Sequence, residues 1–229
     1  VNAEGDSVLL VNPGSMAKVV SDVTVKIRKK DGKVVSKSVD GVLTDMQEFN
    51  YQCGKKFFKK EIVNPAGYSV KEIFHVGQLA EFFYGLIYLP KYCKYYPPRA
   101  GAASVLSQLV AEGNSIHEIT ARKFVTWKNF LGRCSKKWFM EWCTENGFEF
   151  SSITFCSEKD GPQDKYKACK RLEVDIMIDD RPEIVLYLAE RGIKVLMVDA
   201  PYNQEVHHEN IRRVQSWNEI YQILKNETI

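Results

Sequence analysis

Two rhythms alternate along this chain from residue 34 onward. Short apolar runs give way to longer stretches whose apolar residues recur every three or four positions. Val34 to Val39 predicts a strand, and Ala102 to Glu112 predicts a helix with Ala103, Leu106, Leu109 and Val110 on one face. Ser115 to Thr120 predicts the next strand, and Trp127 to Asn146 a long helix ended by Gly147. A strand at Ile153 to Cys156, a helix at Lys165 to Leu172 and a strand at Val174 to Ile178 follow. A helix at Glu183 to Arg191, ended by Gly192, then leads to the last central strand, Val195 to Val198. Strands spaced by helices of this length predict parallel βαβ units with right-handed crossovers. Ligands of such sheets bind at the carboxyl ends of the strands.

Two segments break the rhythm. Residues 1–33 hold the apolar run Val8-Leu9-Leu10-Val11, the turn cluster Asn12-Pro13-Gly14-Ser15 and the alternating run Val23-Thr24-Val25-Lys26-Ile27-Arg28. Lys30-Asp31-Gly32-Lys33 is a hairpin turn signal, because Asp-Gly readily supplies positive φ. The expectation is an N-terminal β-hairpin extension, or the tail of an upstream domain. The second segment, residues 46–97, separates the first strand from its helix. It carries helical patterns at Val70 to Phe74 and Gln78 to Leu89, and it is too long for a loop. Pro97-Pro98-Arg99-Ala100-Gly101 ends it, since consecutive prolines forbid helix. The domains expected are thus a core over 34–45 and 98–229, an insertion over 46–97 and the extension over 1–33.

Composition narrows the class. The 229 residues can bury a full core, and 27% charged with 45% hydrophobic residues is ordinary for a globular protein. A net charge of +3 is too mild to imply a nucleic acid polymer as partner. The run Lys55-Lys56-Phe57-Phe58-Lys59-Lys60 reads as a solvated helix or loop face. Six cysteines without a Cys-x-x-Cys pair suit neither zinc nor a disulfide framework, so reduced thiols are expected. No apolar run approaches a membrane span and no signal peptide is visible, which leaves the cytoplasm as the default location.

Four segments then carry chemistry at the predicted strand ends: Ser38-Val39-Asp40-Gly41-Val42-Leu43-Thr44-Asp45, Ile119-Thr120-Ala121-Arg122, Gln163-Asp164-Lys165 and Ile176-Met177-Ile178-Asp179-Asp180. Together they resemble the four phosphatase motifs of the haloacid dehalogenase superfamily, over residues 34–206. Pro98-Arg99-Ala100-Gly101-Ala102, Arg181-Pro182-Glu183 and Asp199-Ala200-Pro201-Tyr202-Asn203 resemble its 5′(3′)-deoxyribonucleotidase-like branch. The resemblance implies a three-layer α/β sandwich with a parallel Rossmann-like sheet and a helical cap at 46–97. It implies Mg²⁺ as cofactor and phosphomonoesters, nucleotides among them, as substrates.

In that family an aspartate attacks phosphorus, being ionised at neutral pH and needing no activating base. Asp40 matches its general acid, and Thr120 its phosphate-binding hydroxyl, although a Thr at a strand end also caps helices. Gly41 and Ala121 complete the phosphate-binding set by the same resemblance. Lys165 matches the lysine that stabilises charge on the phosphoryl oxygens, ahead of Lys167 and Lys170, and it is expected to open a helix. Asp179 and Asp180 are adjacent acids, costly to hold together without a cation. The resemblance makes the first a Mg²⁺ ligand and the second its support, with Asp40 also at the metal.

The chain departs from the family at the nucleophile, where Ser38 replaces aspartate. A serine hydroxyl needs a base, and His117, three residues before Thr120, is not expected to reach it. The same change removes a metal ligand. Lys37 and Glu118 place charges in strands expected to be neighbours, and an ion pair between them is the natural resolution. The aromatics Phe57, Phe58, Phe74, Phe82, Phe83, Tyr84, Tyr88, Tyr92, Tyr95 and Tyr96 crowd the insertion. Core packing claims most of them, leaving one or two for a base pocket. His207-His208 lacks a partner at metal-ligand spacing. Two functions are therefore expected to compete. One is a nucleotidase-like phosphohydrolase made weak or inactive by Ser38. The other is a catalytically dead pseudoenzyme that binds a phosphorylated ligand, or a protein partner through an edge of the hairpin.

Overall fold

The computed structural model describes residues 32–121, 125–157 and 159–226. The expected hairpin lies almost wholly outside the described residues, with the partner-binding edge assigned to it, and so does Arg122. The first half of the described chain forms β1 (Val34–Lys37), α1 (Met46–Phe58), α2 (Val70–Phe74), α3 (Gln78–Tyr95), α4 (Ala102–Ala111), β2 (Ser115–Thr120) and α5 (Phe130–Glu145). The second half forms β3 (Ser152–Phe155), α6 (Gly161–Leu172), β4 (Ile176–Asp179), α7 (Pro182–Ala189), β5 (Lys194–Val198), β6 (Ile211–Val214) and α8 (Trp217–Asn226).

The strands form one parallel sheet in the order β3-β2-β1-β4-β5-β6. Chain order therefore runs outward from β1 in both directions, and the boundary between β1 and β4 is the topological switch point where such sheets open a crevice. Alternate residues feed two cores. Val35, Ile116, Ile178 and Leu196 pack against α4, α5 and α8, while Ile119, Met177, Val195 and Met197 pack against α6 and α7. Each fully buried Val, Leu or Ile contributes about 1.5–3 kcal/mol. The result is three layers.

Between β1 and α4 lie the three helices α1–α3. Asp45 starts α1, its carboxylate accepting from the Glu48 N–H at 3.0 Å, and Ser69 and Glu72 form a capping box at α2. The helix expected to stop at Leu89 instead continues through Pro90 to Tyr95. Buried Tyr92 and Cys93 anchor the extra turns, so packing outweighs the hydrogen bond that Pro90 cannot donate. Along the rest of the chain, α5 begins at Phe130, where the Asn129 side chain caps Gly132, rather than at Trp127. Helix α6 begins at Gly161, so Lys165 lies a turn inside it and does not open it.

The second edge of the sheet, β6, and its helix α8 follow a strand expected to be the last central one. Arg212 and Arg213 interrupt the apolar pattern of β6, which an edge strand tolerates. All six cysteines are free, and among the described residues no helix is long and apolar enough to cross a membrane.

Candidate active site

The structure brings the sequence motifs to one end of the sheet. Ser38 follows β1, Thr120 ends β2, Asp179 ends β4, and Lys165 reaches in from α6. The Lys165 ammonium is buried and sits 3.0 Å from the Ser38 hydroxyl and 2.5 Å from Asp179 Oδ2. Asp179 Oδ1 accepts the backbone N–H groups of Asp180 at 2.9 Å and Arg181 at 3.2 Å. Both oxygens of Asp179 are thus engaged by the protein.

Asp180 is different. Its Oδ2 accepts from the Tyr202 hydroxyl, while Oδ1 is buried with no hydrogen-bond partner. Burial first, and the neighbouring Asp179 charge second, push its carboxyl up to about 7. Asn203 holds its backbone carbonyl at 2.9 Å and is itself gripped by Arg213 of β6 at 2.7 Å. Gly41, at φ +80°, makes room for the carboxylate. A Cβ there would lie 1.9 Å from Asp180 Oδ2. Arg99 fixes the same turn, donating from Nε to the Gly41 carbonyl at 3.1 Å and pairing with Asp45 at 3.1 Å.

Sequence reasoning assigned no role to Arg99, Tyr202, Asn203 or Arg213. The first three lie inside quoted motif segments, which was the available signal. Arg213 lies in an unrecognised strand and gave none. Among the expected outsiders, His117 bonds Ser152 at 2.7 Å, and its imidazole is shifted down by burial. Its register partner is Ser36, so it does not serve Ser38. Among the described residues, His207-His208 belongs to no group of three or more potential metal ligands.

A cavity of about 480 Å³ runs from Asp40, Ala121 and Arg181 at the motif end to the helices α1–α3. That volume suits a small organic ligand. Of the aromatics named from sequence, Phe82, Tyr84 and Tyr92 line it, joined by Phe49, Tyr68 and Trp127, which were not named for that role. Phe57, Phe58, Phe74 and Tyr88 pack instead into the core of the helices themselves. The buried Asn50 also lines the cavity, its Oδ1 accepting from the Tyr84 hydroxyl at 3.1 Å.

The donors near Asp180 fit a hard divalent cation. They are the buried Asp180 Oδ1, which has no hydrogen-bond partner, and the half-buried Asp40, whose charge acts on Asp180. Mg²⁺ takes one or two protein carboxylates and keeps waters or substrate phosphate for the rest. The set is lean, since among the described residues no three acidic, His or Cys side chains converge.

A family model described as 5′ nucleotidase, deoxy (pyrimidine), cytosolic type C protein matches residues 32–228. A nucleotidase of Clostridium acetobutylicum is 25% identical over 199 residues, covering 81% of this chain and 90% of that protein. A Bacillus cereus relative is 31% identical over 127 residues, and that match spans 55% of this chain but only 60% of the relative. Among solved structures, the D,D-heptose 1,7-bisphosphate phosphatase of B. bronchiseptica, complexed with magnesium and phosphate, superposes with a TM-score of 0.52. Its sequence identity is 12%, and the superposition covers 84% of this chain and 97% of that one.

Proposed function

Since this chain belongs to the family of cytosolic type C deoxy-pyrimidine 5′ nucleotidases, within the haloacid dehalogenase superfamily, we propose that it binds a nucleoside monophosphate and hydrolyses it weakly or not at all. The observation that carries this reading is the bond between Lys165 and Ser38. Among the described residues, the side-chain partner of the Ser38 hydroxyl is an ammonium, which donates a proton and cannot take one. Asp179 Oδ2, 2.5 Å away, pairs with the same ammonium. Ser38 therefore stays a neutral hydroxyl, whereas an aspartate at this position would be ionised without help.

The remaining parts support phosphate binding. Lys165 supplies positive charge beside position 38, and Thr120, at the end of the neighbouring strand, supplies a hydroxyl. Mg²⁺, when bound, would offset phosphate charge, held by Asp180 and the Asp40 carbonyl. This reverses the roles that the resemblance implies for the acid pair, because Asp179 is spent on Lys165 and Asp180 has the free oxygen. Asp40, which lines the cavity, would exchange a proton with the ester oxygen. In this reading α1–α3 act as the cap, and the aromatic wall of the cavity receives the nucleoside.

The test is phosphate release from a nucleotide panel with Mg²⁺, by the unmodified protein and by Ser38→Asp. The reading expects Ser38→Asp to exceed the unmodified protein by at least about 10³-fold, the usual scale for a missing nucleophile. Rapid turnover by the unmodified protein would overturn it.

A further inference from the structure

The loop between α1 and α2 is pinned along its length, although surface loops are ordinarily mobile. Buried Gln47 of α1 donates from Nε2 to the Pro65 carbonyl at 2.8 Å and the Gly67 carbonyl at 3.2 Å. The N–H groups of Val63 and Asn64 donate to the Ile73 carbonyl at 2.9 and 3.0 Å. The Tyr68 N–H donates to Glu72 Oε2 at 2.8 Å, so the capping box of α2 fixes that backbone too. Gly67 permits this close approach, since a Cβ there would lie 2.8 Å from both Glu72 Cβ and the Ile73 nitrogen. These ties deliver one side chain to the motif end of the sheet. The Tyr68 ring meets the Tyr202 ring edge-to-face, with centroids 5.1 Å apart and planes at 89°. The Arg181 guanidinium lies over the Tyr68 ring, 5.2 Å from its centroid, while Arg181 Nε donates to Glu183 at 2.9 Å. Tyr202 bonds Asp180 Oδ2, and Arg181 follows Asp180 in the chain.

We propose that Tyr68 is a positioning residue for the open oxygen of Asp180, through its hold on both neighbours of that acid. Its ring braces Tyr202, whose hydroxyl occupies Oδ2 and leaves Oδ1 without a partner. The same ring holds the Arg181 guanidinium aside. An arginine released from that ring, one residue from Asp180, would pair with the open oxygen and compete with a cation for it. The segment between the first strand and its helix thus tunes the metal site without supplying a ligand to it, as groups behind a ligand commonly do. The inference rests on the reading of Asp180 as a cation ligand, and it is independent of whether the protein binds or turns over a nucleotide.

Titration of the full chain with Mn²⁺, an oxygen-preferring stand-in for Mg²⁺ read by electron paramagnetic resonance, tests it. Nucleotide is left out, because Tyr68 also lines the cavity and would touch a bound ligand directly. Tyr68→Ala is expected to weaken Mn²⁺ binding about ten-fold, the lower end for groups that orient a metal ligand. Tyr68→Phe is expected to bind as tightly as the unmodified protein, because both contacts use the ring. Adding Arg181→Gln to Tyr68→Ala is expected to recover most of the loss, which a mere loosening of the loop would not allow. Equal affinity in Tyr68→Ala overturns the proposal, as does a Tyr68→Phe loss as large as that of Tyr68→Ala. A double variant no tighter than Tyr68→Ala, or an unmodified protein that takes no Mn²⁺, also overturns it. The expected Mn²⁺ pattern in a protein that binds no nucleotide supports the proposal and sinks the functional reading instead.

Discussion

Lys37 and Glu118 face each other across β1 and β2 with Nζ 2.6 Å from Oε2, and neither side chain reaches solvent. The ammonium also lies 4.1 Å from the centre of the Phe150 ring. Burial pulls the Lys37 ammonium down from its usual range while Glu118 pushes back. The pair lies one residue before Ser38 and two before Thr120, tying together the two strands that carry them. Lys37→Met strands a buried carboxylate and is expected to cost about 3–5 kcal/mol by urea denaturation. Lys37→Met with Glu118→Leu is expected to recover most of that loss. A single variant no less stable than the parent would show that the pair carries no such energy.

Gly41→Ala is expected to damage ligand binding more than its size implies. The added methyl enters left-handed backbone and falls 1.9 Å from Asp180 Oδ2. The carboxylate must move, and with it the oxygen proposed to face the cation. Calorimetric titration with Mg²⁺ and a nucleotide should show at least a ten-fold loss of affinity. Unchanged affinity would mean that Asp180 does not hold the metal.

The acid pair gives a pH signature in the presence of a chelator. Folding raises Asp180 from 3.8 to about 7, so between those values the folded protein holds a proton that the unfolded chain has released. Its contribution is complete below about pH 4 and is lost as pH rises through 7, with an upper bound of about 4 kcal/mol. Thermal melts with chelator should therefore show stability declining toward pH 8. Asp180→Asn should flatten the decline and melt higher at pH 8. Mg²⁺ should restore the unmodified protein but not the variant.

Asn50, a buried residue of the cavity wall, tests where the nucleoside binds. Its Oδ1 is spent on Tyr84, which leaves its amide N–H groups for a ligand. Asn50→Ala is expected to weaken nucleotide binding about ten-fold, the worth of a single hydrogen bond. Binding of inorganic phosphate should be unchanged. Equal losses for both ligands would place the nucleoside elsewhere.

The strands and their motifs were legible because each strand pairs a short apolar run with chemistry at its end. Residues 115–120 form β2 as read, and Lys37 and Glu118 announced each other as charges in adjacent apolar strands. Neither helix α8, despite its apolar spacing of Trp217, Ile220, Tyr221 and Leu224, nor the strand before it was read from the sequence. In β6 two arginines hide the pattern, and one of them, Arg213, is recruited to Asp199 and Asn203. The division of labour between Asp179 and Asp180 was not legible either. It depends on which acid Lys165 reaches, a contact between residues fourteen apart that only the packing of α6 on β4 creates.

The most direct test is calorimetric titration of the unmodified protein with a deoxynucleoside monophosphate and Mg²⁺, followed by recovery of the ligand. The account predicts saturable one-to-one binding, lost in Lys165→Met, with the nucleotide recovered intact. Absence of binding, or recovery of free nucleoside and phosphate at a rate matching Ser38→Asp, would contradict it.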